Sequence, residues 1–486
     1  MAEHIYDTYE TVVGLEVHAQ LLTQSKAFNT DSTEYGQLPN TNISVITLAH
    51  PGTLPKLNER VIEYAIKMGL ALDCQIRRYN IFDRKNYFYP DLPKGYQITQ
   101  DKTPICTAGK LTIQTADGQP RTIGITRIHI EEDAGKSLHL DGSEESLIDL
   151  NRAGVPLIEI VSEPDIRTPE EAQLYLQEIR RLVRYLGICD GNMEEGSMRC
   201  DANISVRKKG STQLGQRVEV KNMNSTRNVM RAIIYETKRQ IDLIEAGGKV
   251  SGETRNFDAP SGTTTPLRMK ETLNDYRYFP EPDLQPFIVE EAWVREIAAQ
   301  MPSLPHQLRT RFVETYGLPE YDAHLLVDDK TTALYFETLT QHTPHYKAAS
   351  NWIMGPVKSY LNERTLPMEQ FPIQPECLAK VIALVEANQM SFAVASQQLF
   401  PALIEQPEAD PEALALQLDL LHSSDTDAIQ PIIEAVLAEF PDKVAQYRNG
   451  KKGLLGMFMG QVMKRTKGKV DPKVATQLLE SQLNGE

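Results

Sequence analysis

Tyr9-Glu-Thr-Val-Val-Gly-Leu-Glu-Val-His18 is rich in strand formers and closes on an alternation of apolar and polar residues. Side chains two apart on a strand share a face, so Glu16 and His18 point one way while Leu15 and Val17 pack inward on the other. Ile125-Thr-Arg-Ile-His-Ile-Glu131, Leu157-Ile-Glu-Ile-Val161 and Val218-Glu-Val-Lys221 have the same character. Two helices interrupt these strands. One begins at Thr168-Pro169-Glu170-Glu171, with a threonine cap, proline in the first helical position and glutamate three residues after the cap, and runs to about Gly187. The other follows Asn224-Ser225 and stops at Gly247-Gly248, a glycine C-terminal signal.

After Trp293 the strand pattern ends. Tyr321 to Val327 and Thr331 to Thr340 carry helical apolar spacing, and Glu405-Gln-Pro-Glu-Ala-Asp-Pro411 reads as a linker. Beyond it, short amphipathic helices run to the end. Leu454, Leu455, Phe458, Met459 and Val462 form a stripe expected to be core. The expected class is α+β: an antiparallel-rich body over residues 1–292, a helical domain over 293–408 and a small all-α tail over 409–486.

A chain of 486 residues is too long for one core, which agrees with several domains. The start, MAEHIYDTYE, lacks the basic and apolar regions of a signal peptide, and no stretch approaches the roughly 18 apolar residues that span a bilayer. The five cysteines (Cys74, Cys106, Cys189, Cys200, Cys377) show no paired spacing, so a reduced, cytoplasmic protein without membrane association is expected. A net charge of −15 argues against a generic nucleic-acid binder. The distribution is uneven, however. From Leu403 to Asp442 there are ten acids and no Lys or Arg, whereas Lys443 to Lys473 holds nine basic residues and one acid, Asp471. That switch is either a local positive patch or a solvated helix end.

Several residues can carry chemistry. The Glu16 and His18 pair suits a metal or a proton shuttle, although a solvated strand face is the commoner reading of such a pair. His129-Ile-Glu131-Glu132-Asp133 places three acids in succession at a strand end, which calls for a cation, a bulge or open solvent. Glu131 shares a face with His129; Glu132 points the other way unless a bulge turns it. Glu159 lies within Pro-Leu-Ile-Glu-Ile-Val with its nearest basic neighbours, Arg152 and Arg167, outside the strand. Facing a pocket it demands a cation; facing water it does not. Asp201 shares a face with Asn203 and Ser205 and adds a hard oxygen ligand. As a set, Glu16, His18, Glu131, Glu132, Glu159 and Asp201 suit Mg²⁺ beside nucleotide phosphates.

Phe82-Asp-Arg-Lys-Asn-Tyr-Phe-Tyr-Pro-Asp-Leu-Pro-Lys-Gly-Tyr-Gln97 interleaves aromatic and basic groups. Arg84, Lys85 and Lys94 can meet phosphates, and Tyr87, Tyr89 and Tyr96 can stack on a base; a tyrosine-rich packing loop is the competing reading. Asp275-Tyr-Arg-Tyr-Phe-Pro-Glu-Pro-Asp283 is alike. Asp133-Ala-Gly-Lys136-Ser137 is not a P-loop, because the leading glycine position falls on Ile130. Lys136 can still neutralise phosphate from another geometry, with an ordinary surface lysine as the commoner reading. Lys85, Tyr87 and Lys136 are therefore the candidate nucleotide contacts.

Val13-Gly-Leu-Glu-Val-His18, Phe82 to Pro90, His129 to Ser137, Pro156-Leu-Ile-Glu-Ile-Val-Ser-Glu-Pro-Asp165, Met198-Arg-Cys-Asp-Ala-Asn-Ile-Ser205 and Asp275-Tyr-Arg-Tyr-Phe-Pro280 occur in the order seen in one family. In these segments the chain resembles the B subunit of the bacterial aspartyl/glutamyl-tRNA amidotransferase. Gly453-Leu-Leu-Gly-Met-Phe-Met-Gly-Gln461 resembles that family's tRNA-binding tail. The resemblance implies a cradle-like catalytic domain that binds ATP and Mg²⁺. It implies partnership with a glutaminase/amidase A subunit and a small C subunit. The implied reaction phosphorylates the side-chain carboxylate of misacylated Glu-tRNA(Gln) or Asp-tRNA(Asn), after which ammonia displaces phosphate. By motif position the resemblance gives His18, Glu132 and Glu159 to one metal, and Glu16, Glu131 and Asp201 to a second metal or to the ammonia path.

Some members of the family carry zinc-binding cysteines after the first strand. The corresponding positions here are Asn29, Asp31, Ser44 and Thr47, so no structural zinc is expected. The alternative function is a non-catalytic tRNA-binding scaffold. A stand-alone metal hydrolase ranks last, for want of a nucleophile triad or a His-rich metal motif.

Overall fold

The computed structural model describes every residue except 1–2, 116, 141, 143, 270–275, 422–425, 467–469, 471 and 485–486. Asp275, Lys467, Lys469 and Asp471, which the sequence singles out, lie outside the described residues. The chain divides into two units, Met1–Leu304 and Pro305–Glu486.

The first unit is α+β. Its chain-order elements are β1 (Tyr9–Gln20), α1 (Glu59–Ala71), β2 (Gln75–Ile76), β3 (Asp83–Asn86), β4 (Tyr96–Thr99), β5 (Cys106–Gln114), β6 (Pro120–Glu132), β7 (Pro156–Ser162), α2 (Pro169–Tyr185), β8 (Met198–Lys208), β9 (Val218–Met223), α3 (Thr226–Glu245), β10 (Glu253–Asp258) and β11 (Thr263–Met269). Nine strands form one sheet in the order β11-β10-β9-β8-β1-β7-β6-β5-β2. Every adjacent pair is antiparallel except β9 with β10. β3 is the middle strand of a smaller sheet, pairing with β4 on one side and with Phe279–Pro280 on the other.

The first strand is the middle one of the nine, paired with β7 on one side and β8 on the other. Leu15, Val17 and Ala19 are fully buried, and with Ile128, Ile130, Ile158, Ile160, Ala202 and Ile204 they make the apolar face of the sheet. α1, α2 and α3 pack on that face. Each fully buried Leu, Ile or Val contributes about 1.5–3 kcal/mol, which fixes the register against a one-residue slip. The helix signals hold: Thr168 caps α2 by accepting from the Glu171 N–H, and Ser225 caps α3 by accepting from Asn228. At Gly154 the backbone is left-handed (φ +84°), a conformation suited to glycine, and its N–H and C=O tie Asp133 to Ala27 beside the end of β6.

In the second unit every named element is helical. Trp352 is buried against Phe392 and Phe400. A separate apolar cluster, from Ile429 to Leu483, includes Phe458 and Val462, so the expected stripe is core, with Leu454, Leu455 and Met459 packed around it. The stretch read as a linker ends in a cap: Asp410 accepts from the N–H groups of Glu412 and Ala413 at the helix Pro411–Gln417 and pairs with Lys380. Lys464 and Arg465 are exposed, and Arg465 pairs with Glu439.

Candidate metal centre

Antiparallel pairing aligns one row of side chains across four strands: Arg199 on β8, His18 on β1, Glu159 on β7 and His129 on β6. The row lies on the polar face of the sheet. Glu131, two residues beyond His129, is on the same face. His18 Nε2 lies 3.2 Å from Glu159 Oε2, and His129 Nε2 lies 3.6 Å from the same oxygen and 3.2 Å from Glu131 Oε1. His18, Glu131 and Glu159 each offer a ligand atom within 4.8 Å of the others. β4 covers this end of β6 and supplies donors. Thr99 Oγ1 donates to Glu131 Oε1 at 2.8 Å, and Gln97 Nε2 donates to Glu131 Oε2 at 3.1 Å.

The electrostatics keep both carboxylates ionised. Burial pushes Glu131 up, but Lys85 and the hydrogen bond from His129 outweigh it and bring the carboxyl down to about 2. Burial likewise opposes ionisation of Glu159, and the two histidines with Lys85 hold it well below the usual carboxylate range. His18 is pulled down by burial and raised further by Glu159, ending above its ordinary value. The Lys85 ammonium lies over the ring of Tyr276 at 5.0 Å and near that of Tyr87 at 6.0 Å. Burial disfavours its charge, Glu131 and Glu159 favour it, and the balance is upward.

Glu132 faces elsewhere. Its Oε1 pairs with Lys94 and accepts from the Ile98 N–H at 2.9 Å. It lines a cavity of about 250 Å³ with Phe28, Asn29, Thr47, His50 and Lys94. Lys136 is also apart from the row. Its ammonium lies over Tyr35 at 5.1 Å, in a cavity with Gln20, Asp149, Asn151 and Arg152. Asp133 is held by Gln20 Nε2 at 2.7 Å and by Arg199 at 2.8 Å.

Glu16 and Asp201 form a second group, completed by Glu219 of β9. Lys221 already sits in it, paired with Asp201 and 3.2 Å from Glu219. Asn203 Nδ2 donates to Glu16 Oε1 at 2.7 Å, and Thr254 Oγ1 to Glu219 Oε2 at 2.9 Å. Burial, then Glu159, Glu219 and Asp201, raise Glu16 above the ordinary carboxylate value.

The loop after β1 closes through a polar knot. Asn29 Nδ2 donates to Thr47 Oγ1 at 3.1 Å, the Ser44 N–H donates to Asp31 Oδ2 at 2.8 Å, and the Thr47 hydroxyl donates to the same oxygen. The fully buried Lys26 ammonium donates to Asn42 O at 2.7 Å and to Thr47 Oγ1 and Leu150 O at 3.4 Å. Amide, hydroxyl and single-carboxylate groups engaged in this way do not fit a four-thiolate zinc site.

Sequence reasoning missed His129, Gln97, Thr99, Glu219 and Lys221. For His129 the signal was present, since it alternates with Glu131. The β4 donors reach the row only through a long chain connection, and no local pattern announces them.

Two carboxylates and an imidazole converging from three strands define a sheet protein equipped to hold a hard divalent cation with open positions for other oxygens. The GatB/GatE catalytic domain matches residues 11–295, and the GatB domain matches residues 334–483. Curated relatives named as the B subunit of aspartyl/glutamyl-tRNA(Asn/Gln) amidotransferase include those of Synechococcus sp. (strain JA-3-3Ab), 51% identical, and Chlorobaculum tepidum, 49% identical. The first alignment covers 98% of both chains, and the second 98% of this chain and 99% of the relative. The chain belongs to the family of amidotransferase B subunits.

Proposed function

We propose that this chain is the ATP-dependent subunit of a heterotrimeric tRNA-dependent amidotransferase of the cytoplasm, working with an amidase A subunit and a small C subunit. Its substrates are misacylated Glu-tRNA(Gln), Asp-tRNA(Asn) or both. Membership of the family supports the amidotransferase role. The observation that carries the catalytic reading is the convergence of His18, Glu131 and Glu159, with Lys85 and Tyr87 beside them.

A carboxylate resists attack by ammonia because oxide is a poor leaving group. In the proposed reaction the substrate carboxylate oxygen attacks the γ-phosphorus of ATP, ADP leaves, and the acyl phosphate loses phosphate when ammonia adds to its carbonyl carbon. Glu131, Glu159 and His18 would hold Mg²⁺, which when bound would neutralise charge on the phosphates. Glu131 and Glu159 present ionised oxygens, His18 presents Nε2, and Gln97 and Thr99 keep Glu131 from swinging away. Lys85 adds a positive charge that acts on Glu131 and Glu159. Glu132 anchors β4 to the end of β6 through Lys94 and the Ile98 N–H. Glu16 and Asp201, with Glu219 and Lys221, form a neighbouring polar group for a second cation or for ammonia.

The division into residues 1–292, 293–408 and 409–486 belongs to the same proposal: catalytic cradle, helical domain and tRNA-binding tail. The tail reading draws on the separate core of residues 429–483 and on the exposed Lys464 and Arg465.

The test is ATP turnover and amidation by the assembled complex with Glu-tRNA(Gln), comparing wild type with His18→Ala and Glu159→Ala. The expected result is a loss of about 100-fold or more in both variants, with tRNA binding retained. Unchanged amidation in both would make this chain a tRNA-binding scaffold.

A further inference from the structure

His129 is 2% exposed and stands between the two carboxylates that the row brings together. Its Nε2 lies 3.2 Å from Glu131 Oε1 and 3.6 Å from Glu159 Oε2, whereas the pairing of His18 is with Glu159. Its Nδ1 is buried without a hydrogen-bond partner among the described residues. That orphan atom decides the tautomer. A proton on Nδ1 would be buried with no acceptor, while a proton on Nε2 faces two anionic oxygens. The ring therefore presents a single N–H donor at the gap between Glu131 and Glu159.

We infer that His129 is a positioning residue for the cation: its Nε2–H binds Glu131 and faces Glu159, so that the two carboxylates point at one place before the ion arrives. Two buried carboxylates with nothing between them repel, and one turns away or takes a proton. The donor removes that option without competing as a ligand, because a protonated nitrogen has no lone pair to offer. Glu131 is then fixed by three donors, His129, Thr99 and Gln97, and the same imidazole N–H faces Glu159 Oε2 from 3.6 Å. The inference rests on the reading of the row as a cation site.

The experiment uses the assembled complex with Mn²⁺ as probe, binding being read from the free-ion electron paramagnetic resonance signal. It is paired with the Mg²⁺ dependence of ATP turnover. His129→Leu removes the donor. His129→Gln restores an N–H at the position of Nε2, and His129→Asn, whose amide falls short of both carboxylates, is read if the leucine variant does not assemble. The expected result is that the leucine or asparagine variant binds Mn²⁺ about 10–100-fold more weakly and needs correspondingly more Mg²⁺. Its kcat at saturating Mg²⁺ and its KM for charged tRNA stay within about 3-fold of wild type, and the glutamine variant recovers most of the lost affinity. Weakened Mn²⁺ binding in His18→Ala with none in His129→Leu overturns the positioning role alone. A glutamine variant as deficient as His18→Ala makes His129 itself a ligand and also overturns it. A wild-type complex that binds no Mn²⁺ removes the cation site on which the inference stands.

Discussion

Glu16, Asp201 and Glu219 lie beside His18, Glu131 and Glu159 on the same sheet, yet the two groups deal with their charge in opposite ways. The first contains its own cation. Lys221 is paired with Asp201 and Glu219, and these anions hold its proton well above the ordinary lysine range against the effect of burial. The second has histidines at its oxygens, and Lys85 acts on Glu131 and Glu159 through space. Charge neutralised by a tethered ammonium is permanent; charge left to imidazoles and a nearby lysine has room for an exchangeable ion. The difference lies in where the balancing charge comes from: a tethered lysine in one group, imidazoles and a lysine acting through space in the other.

The comparison breaks most visibly at neighbouring glutamates. Glu131→Gln should lower ATP-dependent amidation about 100-fold, since it removes a ligand oxygen from the row, whereas Glu132→Gln should change it less than about 10-fold. Steady-state kinetics of both variants decide this, and equal losses would erase the distinction between the two faces of β6. Next in size is Lys221→Met. It leaves three acids without their ammonium and should destabilise the protein by about 2 kcal/mol, a figure kept below that for a sealed pair because Lys221 is partly exposed. Added Mg²⁺ should then raise the melting temperature of this variant more than that of wild type. No differential response would mean that Lys221 is not standing in for a metal ion.

Acid titration gives a smaller effect. The Glu131 carboxyl is depressed in the folded chain to about 2, below its unfolded value. Its contribution is complete above about pH 4.5 and is lost as pH falls toward 2. Wild type should therefore lose stability more steeply than Glu131→Gln in that window, as read by fluorescence. The smallest effect concerns Lys26, whose burial brings its ammonium down to about 8 against the pull of Asp31, Glu132 and Asp149. Between pH 8 and about 10.5 the unfolded chain binds more protons at this residue, so wild type should gain stability relative to Lys26→Met as pH rises. A flat difference would mean that the knot carries no buried charge.

Much of this was legible in the sequence because it is periodic. The alternation in β1 and in Leu157 to Val161 assigned Glu16, His18 and Glu159 to the polar face, and the α+β class followed from the strand and helix signals. The same alternation put Glu131 with His129, although the resemblance placed Glu132 with His18 and Glu159; in the structure Glu131 is the one within reach. Cross-strand register was not legible, because it depends on which apolar faces pack together. Hence neither Glu219 opposite Asn203 nor Lys221 among the acids was foreseen. Tyr87 does lie by the row through Lys85, while Lys136 opens a separate two-stranded ladder, opposite Asp149.

The loop that runs from Lys26 to Thr47 has a consequence for how the protein endures its surroundings. Oxygen and nitrogen groups hold it shut, so peroxide finds no sulfur there to oxidise. Its closure rests on hydrogen bonds centred on Asp31 and Thr47, which heat and denaturant weaken and oxidants leave alone.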